Sequence, residues 1–136
     1  MVFMVCYDGS RTARYALKLA QAHARVWQAE MVVVKAVERS EPLKRAFIEK
    51  EEQTLEEEIN SLLEEQTTNC DCQLFISSTR SGEQLVNFAR SENVDQIFIG
   101  VERRSKVGKL VFRSTAQYVI LNSPCPVVTV NRSYIS

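Results

Sequence analysis

Five short apolar runs, each of the first four followed by a turn and a helical pattern, constrain this chain more than any other feature. The runs are Val2 to Tyr7, Met31 to Val37, Gln73 to Ser77, Ile97 to Ile99 and Pro126 to Val130. The first is unbroken rather than alternating, as expected of a strand covered on both faces in a parallel sheet. Between the runs the period changes to that of a helix. Ala13, Ala16, Ala20, Ala24 and Trp27 recur every three or four residues after a capping Ser10, with Arg14, Lys18, Gln21, Arg25 and Gln28 opposite. A turn through Ser40 and Pro42 leads to a long helix with Ile48, Leu55, Ile59, Leu62 and Leu63 inside, Pro42 suiting its first turn. Leu85, Val86 and Ala89 mark a third helix. A fourth opens at Ser114-Thr115 and turns Phe112, Ala116, Val119 and Ile120 inward.

Strands joined by helices demand right-handed crossovers, and so an α/β domain with a mostly parallel sheet and helices on both faces. The 136 residues suit one domain, 1–136, with enough chain for a real core. In such sheets a ligand binds beyond the carboxyl ends of the strands, where the winding reverses. Two loops there carry special residues. Asp8-Gly9-Ser10 follows the first strand, and a glycine, Gly100, followed by a cationic loop follows the fourth. Arg103, Arg104, Lys106, Lys109 and Arg113 concentrate positive charge here, although the whole chain balances 17 Lys+Arg against 17 Asp+Glu. A helix start at Ser114 adds unpaired N–H groups that suit a phosphate or carboxylate. The same residues also fit a plain helix cap beside a solvated loop. The strand order, on which the meeting of the two loops depends, is open at this point.

Other functions lack the residues they need. Zero formal net charge and the absence of interleaved aromatics in the basic loop argue against a nucleic-acid binder. The eight glutamates between residues 49 and 65 read as a solvated helix face. Cys6, Cys70, Cys72 and Cys125 do not have zinc spacing. Cys6 and Cys125 read as reduced core residues, while Cys70 and Cys72 lack the two-residue gap of the usual redox dithiol. His23 stands alone and reads as structural. No nucleophile set can be assembled at a strand end, and a Walker-type loop fails at Arg103 and Leu110. The amino terminus has no secretory pattern and no apolar run is long enough to span a membrane, so a cytoplasmic protein is expected.

Asp8 at the end of strand one, Gly100 after strand four, Ser114-Thr115-Ala116 opening the last helix, and the closing run from Ser123 to Val130 together resemble the universal stress protein family. The resemblance covers essentially the whole chain. It implies a single Rossmann-like domain with a five-stranded parallel sheet in the order 3-2-1-4-5 and four helices on both faces. It also implies a homodimer through the last strand (Pro126 to Val130) and, in one branch, ATP, with magnesium accompanying it. By that likeness Asp8 meets the nucleoside, the backbone at Ala36 approaches the adenine, Gly100 and Val101 lie along the ribose and phosphates, and Ser114 and Thr115 hold the phosphate tail.

The ATP-binding branch carries Gly, two residues, Gly, nine residues, Gly and then Ser or Thr. Here those positions read Gly100, Arg103, Arg113 and Ser114, so two of the three glycines are arginines. A positive φ at Arg103 would cost roughly 1–2 kcal/mol, tolerable in a domain stable by about 5–15 kcal/mol. Where the ligand touches the backbone, the arginine side chains occupy its volume; against this, guanidinium groups pair with phosphate in a bidentate fork, so Arg103 and Arg113 either block or support the nucleotide. The expectation is therefore a regulatory protein that binds an adenine nucleotide, with at most slow hydrolysis. The alternative is a dimeric stress-response scaffold whose site no longer binds one.

Overall fold

A computed structural model describes residues 1–63, 70–101 and 114–131. The elements alternate along the chain as β1 (Val2–Cys6), α1 (Arg11–Trp27), β2 (Glu30–Glu38), α2 (Arg45–Leu62), β3 (Cys70–Ser77), α3 (Ser81–Ser91), β4 (Gln96–Val101), α4 (Ser114–Asn122) and β5 (Val127–Asn131). The strands form one sheet in the order β3-β2-β1-β4-β5. Every neighbouring pair is parallel, as expected.

The unbroken apolar run of β1 has its cause in two cores. Phe3, Val5 and Tyr7 face one cluster with α1 and α2, including Leu17, Leu55 and Ile59. Met4 and Cys6 face the other, with Leu85, Val86 and Ala89 of α3 and Ala116 and Val119 of α4. Phe98, fully buried on β4, completes the first core and meets the His23 ring in a T-shaped contact at 5.3 Å between centroids. His23 thus packs through its ring on the α1/α2 core.

Four side-chain expectations need correction. Trp27 is 63% exposed, because α1 stops there: Gln28 adopts a left-handed conformation with φ 53° and reverses the chain into Ala29. Gln21, placed on the solvent face by the helical period, is buried. Ile120 is 38% exposed, α4 burying Ala116 and Val119 instead. Pro42 precedes α2, whose first residue is Arg45. The expected inward position of Phe112 lies outside the described residues.

Candidate functional site at the reversal of the sheet

The site begins with the turn after β1. Gly9 takes φ 82°, a region in which residues with a Cβ are strained. Asp8 Oδ1 accepts a hydrogen bond from the Ser10 amide at 2.9 Å, fixing the turn. Ser10 is the N-cap of α1, its Oγ accepting from the Ala13 amide at 3.2 Å, as the sequence led one to expect.

The second wall follows from unequal strand lengths. The β1–β2 pairing ends at Cys6 beside Val34, whereas the β2–β3 pairing continues to Glu38 beside Ser77. The Tyr7 amide donates to the Val34 carbonyl at 2.9 Å, so Val34 points its peptide groups toward β1. Peptide groups alternate sides along a parallel strand, which turns Ala36 N–H and C=O the same way, past the last β1 pairing and into the gap.

The third wall is β4 and the start of α4. Gly100 lines the gap and is also the point where α1 rests on the sheet. A Cβ placed there would lie 2.6 Å from the Ala13 amide nitrogen, from the Thr12 carbonyl carbon and from Thr12 Oγ1. Asp8, Ala36, Gly100 and Thr115 therefore share one crevice, with Cys6 and Leu85 among its floor residues and Ser81 on its rim. Its described walls enclose about 170 Å³. Helices α1, α3 and α4 all start around it. Such starts carry unpaired N–H groups and the positive end of the dipole.

Two expected residues sit differently. Val101 is buried in the α3/α4 core, so only its backbone is available to a ligand. Ser114 is exposed at the first position of α4 and does not line the crevice. Arg103 and Arg113 lie outside the described residues. Ser81 sits in a polar run that leads into α3, and Gln84 carries no mark of its own in the sequence. The Gln84 amide nitrogen donates to the Val37 carbonyl at 3.1 Å and to the Thr79 carbonyl at 2.7 Å, tying the start of α3 to the end of β2. The polar run from Ser77 to Gly82 was the available signal, since it too follows a strand and precedes a helix.

At the floor, burial pushes the Cys6 thiol up to about 12, helped by repulsion from Cys125 and by Asp8. Burial likewise pushes the Tyr7 phenol up to about 12, with the Glu58 carboxylate acting in the same direction. Neither group is a nucleophile or base near neutral pH. The polar side chains that line the crevice include Asp8, Ser81 and Thr115.

A parallel sheet of this order, with a crevice beyond the carboxyl ends of β1, β2 and β4, defines a Rossmann-like α/β protein. The match extends to sequence: the universal stress protein family model fits residues 1–131. "Universal stress protein in QAH/OAS sulfhydrylase 3'region" of Thermus aquaticus is 30% identical over 134 residues, covering 93% of this chain and 96% of that protein. A universal stress protein from Archaeoglobus fulgidus superposes with a TM-score of 0.81 at 27% identity, over 96% of this chain and 98% of that one. A universal stress protein structure from Archaeoglobus fulgidus in complex with dAMP gives a TM-score of 0.74 at 24% identity, over 96% and 97% of the two chains. This chain belongs to the universal stress protein family.

Proposed function

We infer that the protein is a regulatory member of its family that binds an adenine nucleotide, ATP, in the crevice between the turns after β1 and β4. The observation that carries this reading is the Ala36 peptide edge, turned into the same gap that Asp8 and Thr115 line. A strand edge left over beyond its neighbour offers one donor and one acceptor side by side, the pair that an adenine edge requires. Whole-ligand pockets run to about 300–1,000 Å³, so about 170 Å³ holds a base, with the sugar at Asp8 and Gly100 and the phosphates over the rim. There the backbone at Gly100 and Val101 and the start of α4 at Ser114 and Thr115 meet them, and Arg103 and Arg113 add charge of the right sign. The dAMP complex of the Archaeoglobus relative supports the ligand class. Magnesium would come with the phosphates, whose oxygens suit this hard cation.

One observation favours the second reading, a dimeric scaffold without ligand. Gly100, the first glycine of the motif, is required by the packing of α1 and would persist in a chain that binds nothing. A thermal-shift titration separates the two. At 100 times its dissociation constant ATP adds about 2.7 kcal/mol, several degrees in Tm for a domain of this size, and Asp8→Ala diminishes the gain. No shift at millimolar ATP, with or without magnesium, favours the scaffold.

A further inference from the structure

At the opposite end of the sheet from the crevice, three sulfur-bearing residues occupy neighbouring positions. Cys70 and Cys72 are two residues apart on the edge strand β3, so their side chains leave it on the same face. Both pack against the α1/α2 core. In the β2–β3 register Cys70 stands beside Met31, and Met31 belongs to that same core. Its side chain thus leaves β2 on the face of the thiols, and the two backbones run about 4.8 Å apart, a gap a flexible methionine can span. The two thiols therefore follow one another along a single face of the edge strand. Both are free and only partly buried.

A disulfide does not suit this arrangement. Two steps along a strand separate Cα atoms by about 6.6 Å, at the long limit of disulfide geometry and beyond its usual 5.5–6 Å or so. Closure would bend β3 away from its ladder with β2. Zinc does not suit it either, because a structural zinc needs four ligands, and no third His, Cys, Asp or Glu joins the pair among the described residues. Two thiols and a thioether form a soft, low-coordinate donor set, which selects monovalent copper.

We propose that Cys70, Cys72 and Met31 form a three-sulfur site for a soft monovalent metal ion of the Cu(I) class, separate from the nucleotide crevice. Binding forms two copper–thiolate bonds and releases the two thiol protons to solvent, while Met31 donates a neutral lone pair and copper stays Cu(I). The fully reduced chain, titrated anaerobically with Cu(I) against bathocuproine disulfonate, tests this. One Cu(I) per chain is expected, retained by Cys6→Ser and Cys125→Ser and lost in Cys70→Ser and Cys72→Ser. Met31→Leu, which keeps the side-chain volume, should weaken binding by roughly tenfold or more, the scale of losing a partner of a metal ligand. X-ray absorption of the loaded wild-type chain should show sulfur neighbours only, a readout independent of how the variants fold. Copper left wholly with the chelator, copper that follows Cys6 or Cys125, unchanged affinity in Met31→Leu, or nitrogen or oxygen neighbours would each overturn the proposal.

Discussion

Gly100 on β4 and Thr12 in the first turn of α1 are pressed so closely that a Cβ on Gly100 would lie 2.6 Å from Thr12 Oγ1. Two of the three nearest atoms, the Thr12 carbonyl carbon and the Ala13 nitrogen, are backbone. A methyl group here has to displace the helix, not merely a side chain. Gly100→Ala is expected to destabilise the fold by about 1–3 kcal/mol, as overpacking does, seen as a lower urea midpoint at unchanged slope. Adding Thr12→Ala should not restore the midpoint, because the backbone contacts remain.

The turn at Gly9 makes a contrasting case. Its φ is 82°, and nothing lies within 4 Å of where its Cβ would be, so backbone strain is the whole cost of a side chain. Gly9→Ala should cost roughly 1–2 kcal/mol, and Gly9→Asn less, since asparagine tolerates the left-handed region better. Denaturant unfolding of the two variants should give that ranking.

Stability should fall in alkali for a reason visible in the core. The Cys6 thiol is raised from 9.0 to about 12 by burial, and the Tyr7 phenol from 10.0 to about 12 by burial and Glu58. Both groups are neutral when protonated, and the unfolded chain ionises first, so the native state holds more protons between the two values. Their contribution is complete below the unfolded pKa and lost as pH rises through the folded one. The urea midpoint should stay level up to about pH 8.5, near the free thiol value, and decline above it. Cys6→Ala should flatten the early part of the decline and Tyr7→Phe the later part.

Whether two chains pair through β5, as the family likeness implies, is tested at its backbone. The Ile97 amide donates to the Pro126 carbonyl at 3.0 Å, so by alternation the Val128 peptide groups face β4 and those of Thr129 face outward, away from the sheet. Thr129 is also exposed. Proline is tolerated on an edge where the lost N–H faces outward. Thr129→Pro should therefore keep the ladder with β4 and abolish strand pairing between two chains. Sedimentation is expected to give a mass of two chains for the parent and of one for the variant.

The architecture was legible in the sequence because buried parallel strands and amphipathic helices write different periods into it. Val2 to Cys6 is apolar at every position since both faces are covered, and Ser10 announces α1 by the cap it makes. Errors clustered where a tertiary event overrides the period. Trp27 continues the stripe of α1 on paper, but the left-handed Gln28 ends the helix and leaves the indole in water. Asp8, Gly100 and Thr115 were identifiable from their places in the turn after β1, at the end of β4 and at the start of α4. The role of Gly100 was not, because close approach of Thr12 depends on how α1 crosses β4, which no local pattern encodes. Ala36 entered through family likeness alone, since an alanine inside an apolar strand carries no mark of its own. Gln84 likewise looks like any surface glutamine until β2 and α3 are brought together.

The stagger between a five-residue β1 and a nine-residue β2 has a further consequence. The depth of the recess is a difference in length between two adjacent strands, whatever side chains surround it. One more residue paired at the end of β1 would raise the floor by about 3.3 Å while every wall residue kept its identity. Relatives of this chain could thus diverge in what they accommodate through insertions and deletions alone, a kind of change that a comparison of substituted residues never registers.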